Sequence, residues 1–337
     1  MKRTLKSYVI QEGYTINANH IFEELKKIVE EDEKNGVEIT RRHPAKRILN
    51  KFSGRYISPT MVKGYYDCAA GQLVNSLFPY DSTKATSVGT TTHLIFQKFY
   101  ELEGKDRTMP NLDKITEQII EENHEFDRQK NEVRNYVKGF KKAGSYLGGP
   151  IDHQSLNCFP ELFIKETCSP LGVTIPLPIY NVIDRVDFLD SGCYILDYKT
   201  GTYLSDSVFT YEGYLPQFIS YCWSIEAAYG EKVKKAFMFT PGIEKKYHEM
   251  DINNIKLQSM YIEKLYKYCD DVAETAESRI YQQNIMPYCN SCNIKSKCNR
   301  FNRINMPGNE LIEIEYDISL TETENKEETY SDLKSEN

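Results

Sequence analysis

Asp197 and Lys199 stand two apart in ILDYKTG, and Asp184 precedes them in VIDRVDF. Side chains alternate along a strand, so Asp197 and Lys199 leave the same face while Tyr198 leaves the other. The polar stretch Asp190-Ser191-Gly192 between the two runs reads as a tight turn, which makes the pair a hairpin. A two-residue turn at 190–191 sets Asp184 opposite Asp197, and one at 191–192 sets it opposite Lys199. Both leave all three groups on one face, whereas a three-residue turn removes Asp184 unless a bulge intervenes. Two carboxylates and an ammonium held together repel and resist burial, and a divalent cation relieves the conflict. Carboxylate oxygens suit Mg²⁺ or Mn²⁺, which polarise phosphates and acidify water, the chemistry of phosphodiester hydrolysis. A bare D-x-K triplet is more often a solvated strand end.

Cys289, Cys292 and Cys298 form C-x2-C-x5-C in a polar segment, a spacing that lets one loop wrap a metal. Three thiolates call for a fourth, and a tetrahedral S4 set accepts zinc or a 4Fe-4S cluster. Cys158, Cys168, Cys193, Cys222 and Cys269 lack such spacing and read as core residues.

The elements that must position these groups follow from periodicity. Helices are expected at 17–35, from Ser58-Pro59-Thr60 onward through Cys68, at 88–103 with His93, Phe96 and Tyr100 on one stripe, and across 111–145. Strands are expected at 158–166, 174–188, 193–199 and 235–240, with helices at 215–229 and 252–283. Gln217 and Tyr221, four apart on the helix after the hairpin, face the same way. This order predicts an α/β fold, a small mixed sheet flanked by helices behind a helical N-terminal region. No Gly-Lys-Ser/Thr phosphate loop is present, which excludes ATP hydrolysis by that route.

Net charge is −7 over 337 residues, but residues 309–337 hold ten acids and two lysines. That segment carries −8, leaving −7 − (−8) = +1 for residues 1–308, so the acidity is no argument against a DNA partner. Arg41, Arg42, Lys46, Arg47, Lys51 and Arg55 lie in an acid-free stretch able to meet several phosphates or to serve as a solvated linker. No run of apolar residues suits a membrane span and no secretory signal is evident, which predicts a cytoplasmic protein with reduced thiols.

From Ser58 to Cys298 the chain resembles the RecB-like branch of the PD-(D/E)xK nucleases. The resemblance is carried by His93 in GTTTHLIFQKF, Asp184, Asp197 and Lys199 in the hairpin, and Gln217 and Tyr221 in LPQFISYCW. It implies a restriction-endonuclease-like core in which His93, Asp184, Asp197 and the Tyr198 carbonyl ligate metal. Lys199 would orient or deprotonate the attacking water, and Gln217 and Tyr221 would steady Lys199 or the DNA strand. Glu161 sits where related enzymes often carry a glutamate. On an apolar stripe His93 would otherwise read as core, and as a ligand its nitrogen favours Mn²⁺ over Mg²⁺.

The segment MVKGYYDCAAGQLV is similar to the start of iron-sulfur nucleases such as the AddB nuclease domain, CRISPR adaptation exonucleases and phage-type exonucleases. That likeness makes Cys68 the fourth ligand of Cys289, Cys292 and Cys298 and favours a 4Fe-4S staple, although Ala69-Ala70 replace the usual Pro-Arg. The expected organisation is an N-terminal helix and basic connection (1–57), a nuclease domain (58–308) and an acidic disordered tail (309–337). The expected function is an exonuclease on single strands or DNA ends in replication, recombination or end processing. The rival readings are a non-catalytic DNA-end binding module beside a helicase, and a structure-specific endonuclease.

Overall fold

The computed structural model describes residues 2–12, 15–40, 43–77, 84–123, 127–143, 157–201, 205–244, 246–284, 289 and 309–317. Its contacts divide the chain into two units, one made of 1–54, 67–79 and 275–337 and the other of 55–66 and 80–274. Among the described residues no helix is long and apolar enough to cross a membrane.

The second unit holds a five-stranded sheet in the order β3-β4-β5-β6-β7. Its strands are β3 (Cys158–Glu166), β4 (Ile179–Leu189), β5 (Gly192–Tyr198), β6 (Val233–Phe239) and β7 (Tyr247–Glu249). β3, β4 and β5 are antiparallel, β5 and β6 parallel, and β6 and β7 antiparallel. The parallel step needs a crossover, supplied by helix α7 (Leu215–Tyr229). Pro216 opens α7 and left-handed Gly230 (φ 72°) ends it, its N–H meeting the Glu226 carbonyl. The sheet is mixed and flanked by helices, as in a restriction-endonuclease-like core.

Two apolar layers cover the sheet. On one face Ile183, Val186 and Ile195 pack with Phe218 and Ile219 of α7 and with Tyr261, Leu265 and Tyr268 of α8 (Ile255–Ser278). On the other, Tyr198 and Phe239 pack with α4 (Lys84–Tyr100), α5 (Met109–Asn123) and α6 (Asp127–Lys141) through Ile95, Phe96, Phe99, Ile120 and Phe140. Burying each such ring contributes roughly 1.5–3 kcal/mol.

The first unit holds a second sheet, in the order β8-β2-β1-β9. Its strands are β1 (Lys2–Glu12), β2 (Thr15–Asn17), β8 (Ile280–Gln282) and β9 (Asn309–Asp317). Helix α1 (Asn19–Lys34) packs against β1 and α2 (Pro44–Lys51). Phe22, Phe52 and Tyr281 form an aromatic cluster there, and a fully buried His43–Asp32 pair (3.1 Å) ties α2 to α1. Helix α3 (Pro59–Leu77) runs from the second unit into the first and is broken at Cys68, whose backbone is extended.

Several sequence expectations differ from this architecture. The acidic segment begins with strand β9, antiparallel to β1 from Lys2↔Asp317 to Ile10↔Asn309, rather than as disordered chain. Its charge hid the alternation ELIEIEYD, which has strand period. Residues 318–337 lie outside the described residues. The basic connection contains helix α2, with Pro44 at its first turn and the His43 ring accepting the Lys46 N–H (3.4 Å). β4 starts at Ile179 rather than 174, because Pro176 and Pro178 cannot donate to a ladder.

Candidate active site

The β4–β5 ladder pairs Leu189 with Gly192 and Arg185 with Leu196. The turn is thus the two-residue Asp190-Ser191, and the same register brings Asp184 opposite Asp197. On the other side of β4, Pro160↔Arg185 and Leu162↔Ile183 bracket Glu161 and Asp184, so these two are also opposite. Three acids therefore form one row across β3, β4 and β5.

The side chains of β4 do not alternate strictly on the way to that row. Asn181, Ile183 and Val186 all face α7, whereas Arg185 lies 4.3 Å from the Tyr100 ring of α4 on the other face. The alternation of β4 slips by one at Asp184. β3 slips with it: Cys158 belongs to the α4-side layer and Ile164 to the α7-side layer, and Glu161 between them has φ 51°. A non-glycine residue in the left-handed region is strained, and such strain gathers at functional sites.

Helix α4 brings His93 to this slip. Its Nδ1 lies 3.5 Å from Asp184 Oδ2, which also accepts the Tyr198 N–H at 2.6 Å. One imidazole nitrogen and one oxygen each from Glu161 and Asp184 lie within 4.8 Å of one another. Neighbouring donors around an octahedral Mg²⁺ or Mn²⁺ lie about 3 Å apart and opposed ones about 4.2 Å, from bonds of about 2.1 Å. The three groups fit one such ion, and the mixed nitrogen and oxygen set suits Mn²⁺. Gly89, one turn before His93, lets α4 approach so closely, since a Cβ there would stand 2.9 Å from the Thr200 hydroxyl.

Asp197, fully buried, lies beside this trio and is held from α7. Its Oδ2 accepts from the Tyr221 hydroxyl (3.2 Å) and the Gln217 amide (3.4 Å), and Gln217 also donates to Tyr221. Lys199 pairs with Asp197 Oδ1, and its ammonium sits 4.8 Å from the Tyr214 ring centre. α7 is held in register by buried Asn181 of β4, whose amide reaches Ser220 Oγ (3.0 Å) and Ser224 Oγ (2.7 Å). Gln217, Ser220, Tyr221 and Ser224 form one helical stripe.

Charge is unevenly compensated. Burial, with Asp184 adding its repulsion, pushes Glu161 up to about 7. Burial likewise raises Asp197, against the pull of Lys199. Asp184 resists its own burial and stays below the usual carboxylate range, because His93, Lys199 and the Tyr198 N–H favour its charge. Burial opposes the charge on Lys199, but Asp197 and Asp184 lift its pKa overall. The cluster has more acid than cation, the electrostatic condition for binding a divalent ion.

A family model described as PD-(D/E)XK nuclease superfamily matches residues 56–299. The chain belongs to the PD-(D/E)XK nuclease superfamily. Nucleases of this superfamily use divalent metals, and the His93, Glu161 and Asp184 cluster offers this member a place for one. A search of curated proteins found no match. Among solved structures the nuclease is similar to "Crystal structure of SSO0001", with a TM-score of 0.34 and 11% identity over 82% of this chain and 94% of that one.

The geometry thus gathers His93, Asp184, Asp197, Lys199, Gln217 and Tyr221, and brings Glu161 closer to the His93–Asp184 pair than the sequence alone argues. Tyr198 contributes its N–H to Asp184. Asn181 and Tyr214 escaped the sequence reading, although Ser220 and Ser224 on the Gln217 stripe signal a helix face packed close on a polar strand residue. Of the basic residues, Arg47 and Arg55 are exposed, Lys46 is half-buried, and Lys51 donates to Ser76 (2.8 Å) and lies over Phe52. Arg41 and Arg42 lie outside the described residues, as do Cys292 and Cys298. Cys68 accepts the Gly71 N–H at 3.2 Å where α3 breaks, and Cys289 is half-buried.

Proposed function

We propose that this nuclease is an exonuclease acting on single strands or DNA ends, in replication, recombination or end processing, by metal-assisted attack of water on phosphate. The observation that carries the reading is the row Glu161, Asp184, Asp197, met by His93 from one face and Lys199 at the strand end. His93, Glu161 and Asp184 would hold the ion, with Asp197 and the Tyr198 carbonyl offering further donors. A bound Mn²⁺ or Mg²⁺ supplies polarisation of the phosphate and acidification of a water. Lys199, kept charged by Asp197, donates a hydrogen bond that orients the water and offsets charge on the phosphate. Gln217 and Tyr221 fix Asp197 and so aim Lys199; burial keeps the Tyr221 hydroxyl protonated as a donor. The water oxygen forms the new P–O bond and gives up a proton to solvent, the bridging P–O bond breaks, and the leaving oxygen takes a proton from solvent, so water is consumed and no proton is gained or lost between attack and departure.

Incubation with 5′- and 3′-labelled linear DNA and closed circular DNA, with and without Mn²⁺, tests this. Progressive shortening of linear DNA with circles intact is expected. Cut circles would replace the exonuclease by an endonuclease, and DNA that is bound but never shortened would favour an end-binding module that works beside a helicase.

We infer further that Cys68, Cys289, Cys292 and Cys298 hold a 4Fe-4S cluster as a staple, closing a loop of 221 residues (289 − 68). The Cys68 sulfur accepts an N–H where a helix begins, a setting that suits an anionic sulfur ligand. Protein that is brown and bleaches on oxidation is expected, with the colour lost in Cys68→Ser. A colourless protein holding zinc would refute the iron-sulfur assignment.

A further inference from the structure

Two residues beyond Glu161 on β3, about 6–7 Å along the strand, Phe163 turns 40% of its surface to solvent. Leu162 and Ile164 pack on the α7 side, so Phe163 and Lys165 leave the sheet on the α4 side, the side from which His93 arrives. Tyr180 on β4 shares that face, because Ile179 and Asn181 point to the α7 side. The Phe163 and Tyr180 rings lie 5.0 Å apart, Tyr180 and Tyr56 lie 5.5 Å apart, and the Lys165 ammonium sits 5.4 Å from the Tyr56 ring centre. Exposed Arg55 adjoins Tyr56 in the chain. Three aromatic rings and the Lys165 ammonium thus form one patch, with Arg55 next to it in the chain, that extends from the strand carrying Glu161.

We propose that this patch is a base-stacking subsite for an unpaired nucleic-acid strand engaged at the acid row. The proposal rests on the nuclease reading of that row. Bases in a duplex stack on each other, whereas an unpaired strand exposes ring faces that an aromatic side chain can meet, and cations beside the rings meet its phosphates. Both features are present here, and one residue of each kind, Phe163 and Lys165, lies on β3 with Glu161. A second protein chain would use the apolar rings but has no need of the Lys165 ammonium beside them.

The test measures binding of a fluorescein-labelled dT oligonucleotide to the full chain without divalent cation, so that no cleavage enters the readout. Phe163→Ala should weaken binding roughly 5- to 100-fold, the loss of about one stacked base, and Phe163→Trp should restore it. An abasic oligonucleotide of equal length should bind parent and Phe163→Ala alike. Lys165→Ala should lower the slope of log affinity against log salt by about 0.7, one strand phosphate. The proposal is overturned if Phe163→Ala binds dT as tightly as the parent, or if the parent holds abasic and dT strands equally. It is also overturned if the parent sediments as a dimer that Phe163→Ala dissolves, since the patch is then a protein interface. Cleavage assays on the row acids report separately: a loss of stacking in a protein that cuts nothing would sink the nuclease reading alone, and full cleavage with no stacking would sink the subsite alone.

Discussion

One strand of this molecule carries acids with opposite fates. Asp187 of β4 lies fully buried on the α4 side, gripped in a fork by Arg185 (2.8 and 2.6 Å), whose guanidinium lies over Tyr100. Asp184, three residues earlier, faces Glu161 and Asp197, with the Lys199 ammonium and the His93 ring as its neighbours. The first acid is matched in charge and geometry and ties β4 to α4, the helix that carries His93. The second belongs to a set left short of positive charge. A buried carboxylate that is fully matched reads as structure, and a cluster left short reads as a place for an ion.

The sharpest way to break the comparison is to unmatch the matched pair. Arg185→Met strands Asp187 in the interior and should cost about 3–5 kcal/mol in a denaturation curve, most of it recovered in Arg185→Met/Asp187→Leu. Near-equal stability of parent and single variant would show that the pair is not what holds the strand. On the other side, Lys199→Ala should lower the rate of DNA cleavage with Mn²⁺ by about 10²–10³-fold while leaving circular dichroism unchanged. Cleavage at the parental rate would remove the acid row from the chemistry.

A smaller effect is expected from Gly89→Ala, which pushes a methyl group against Thr200. Overpacking of this kind costs about 1–3 kcal/mol. It should also weaken Mn²⁺ binding, read by calorimetry, because α4 carries His93.

The smallest effect sharpens the contrast. The folded pKa of Glu161, about 7, exceeds the ordinary value of 4.5, so ionising it opposes folding. That cost is absent below about pH 4.5, grows between the two values and is complete above about pH 7. In chelator near pH 8, Glu161→Gln should melt a few degrees above the parent, with no difference near pH 4.5. Added Mn²⁺ should reverse the order near pH 8, since the amide is the poorer ligand. A variant that melts below the parent in chelator would show that Glu161 is already compensated.

Local signals made much of this readable. Pro216 and Gly230 delimit α7, and Asp190-Ser191-Gly192 marks the hairpin turn; two of its three possible registers bring Asp184, Asp197 and Lys199 together, and the ladder adopts the one that turns at Asp190-Ser191. The paired slip at Glu161 and Asp184 was not readable, because VIDRVDF reads as plain alternation and the shift depends on a neighbouring strand slipping in step. The resemblance pointed to Glu161, but its closeness to His93 and Asp184 emerged only from tertiary structure. The strands β1 and β9 were obscured for another reason: charged residues interrupt both, and composition outweighed their period.

The pairing of β1 with β9 means that the first sheet is completed by residues 299 (309 − 10) to 315 (317 − 2) positions apart in the chain. A ribosome must reach residue 317 before that ladder is complete, so one edge of β1 waits with its hydrogen-bonding groups unmet. Trimming the chain at residue 307 would accordingly delete a strand rather than a loose end, and leave a sticky edge that invites clumping.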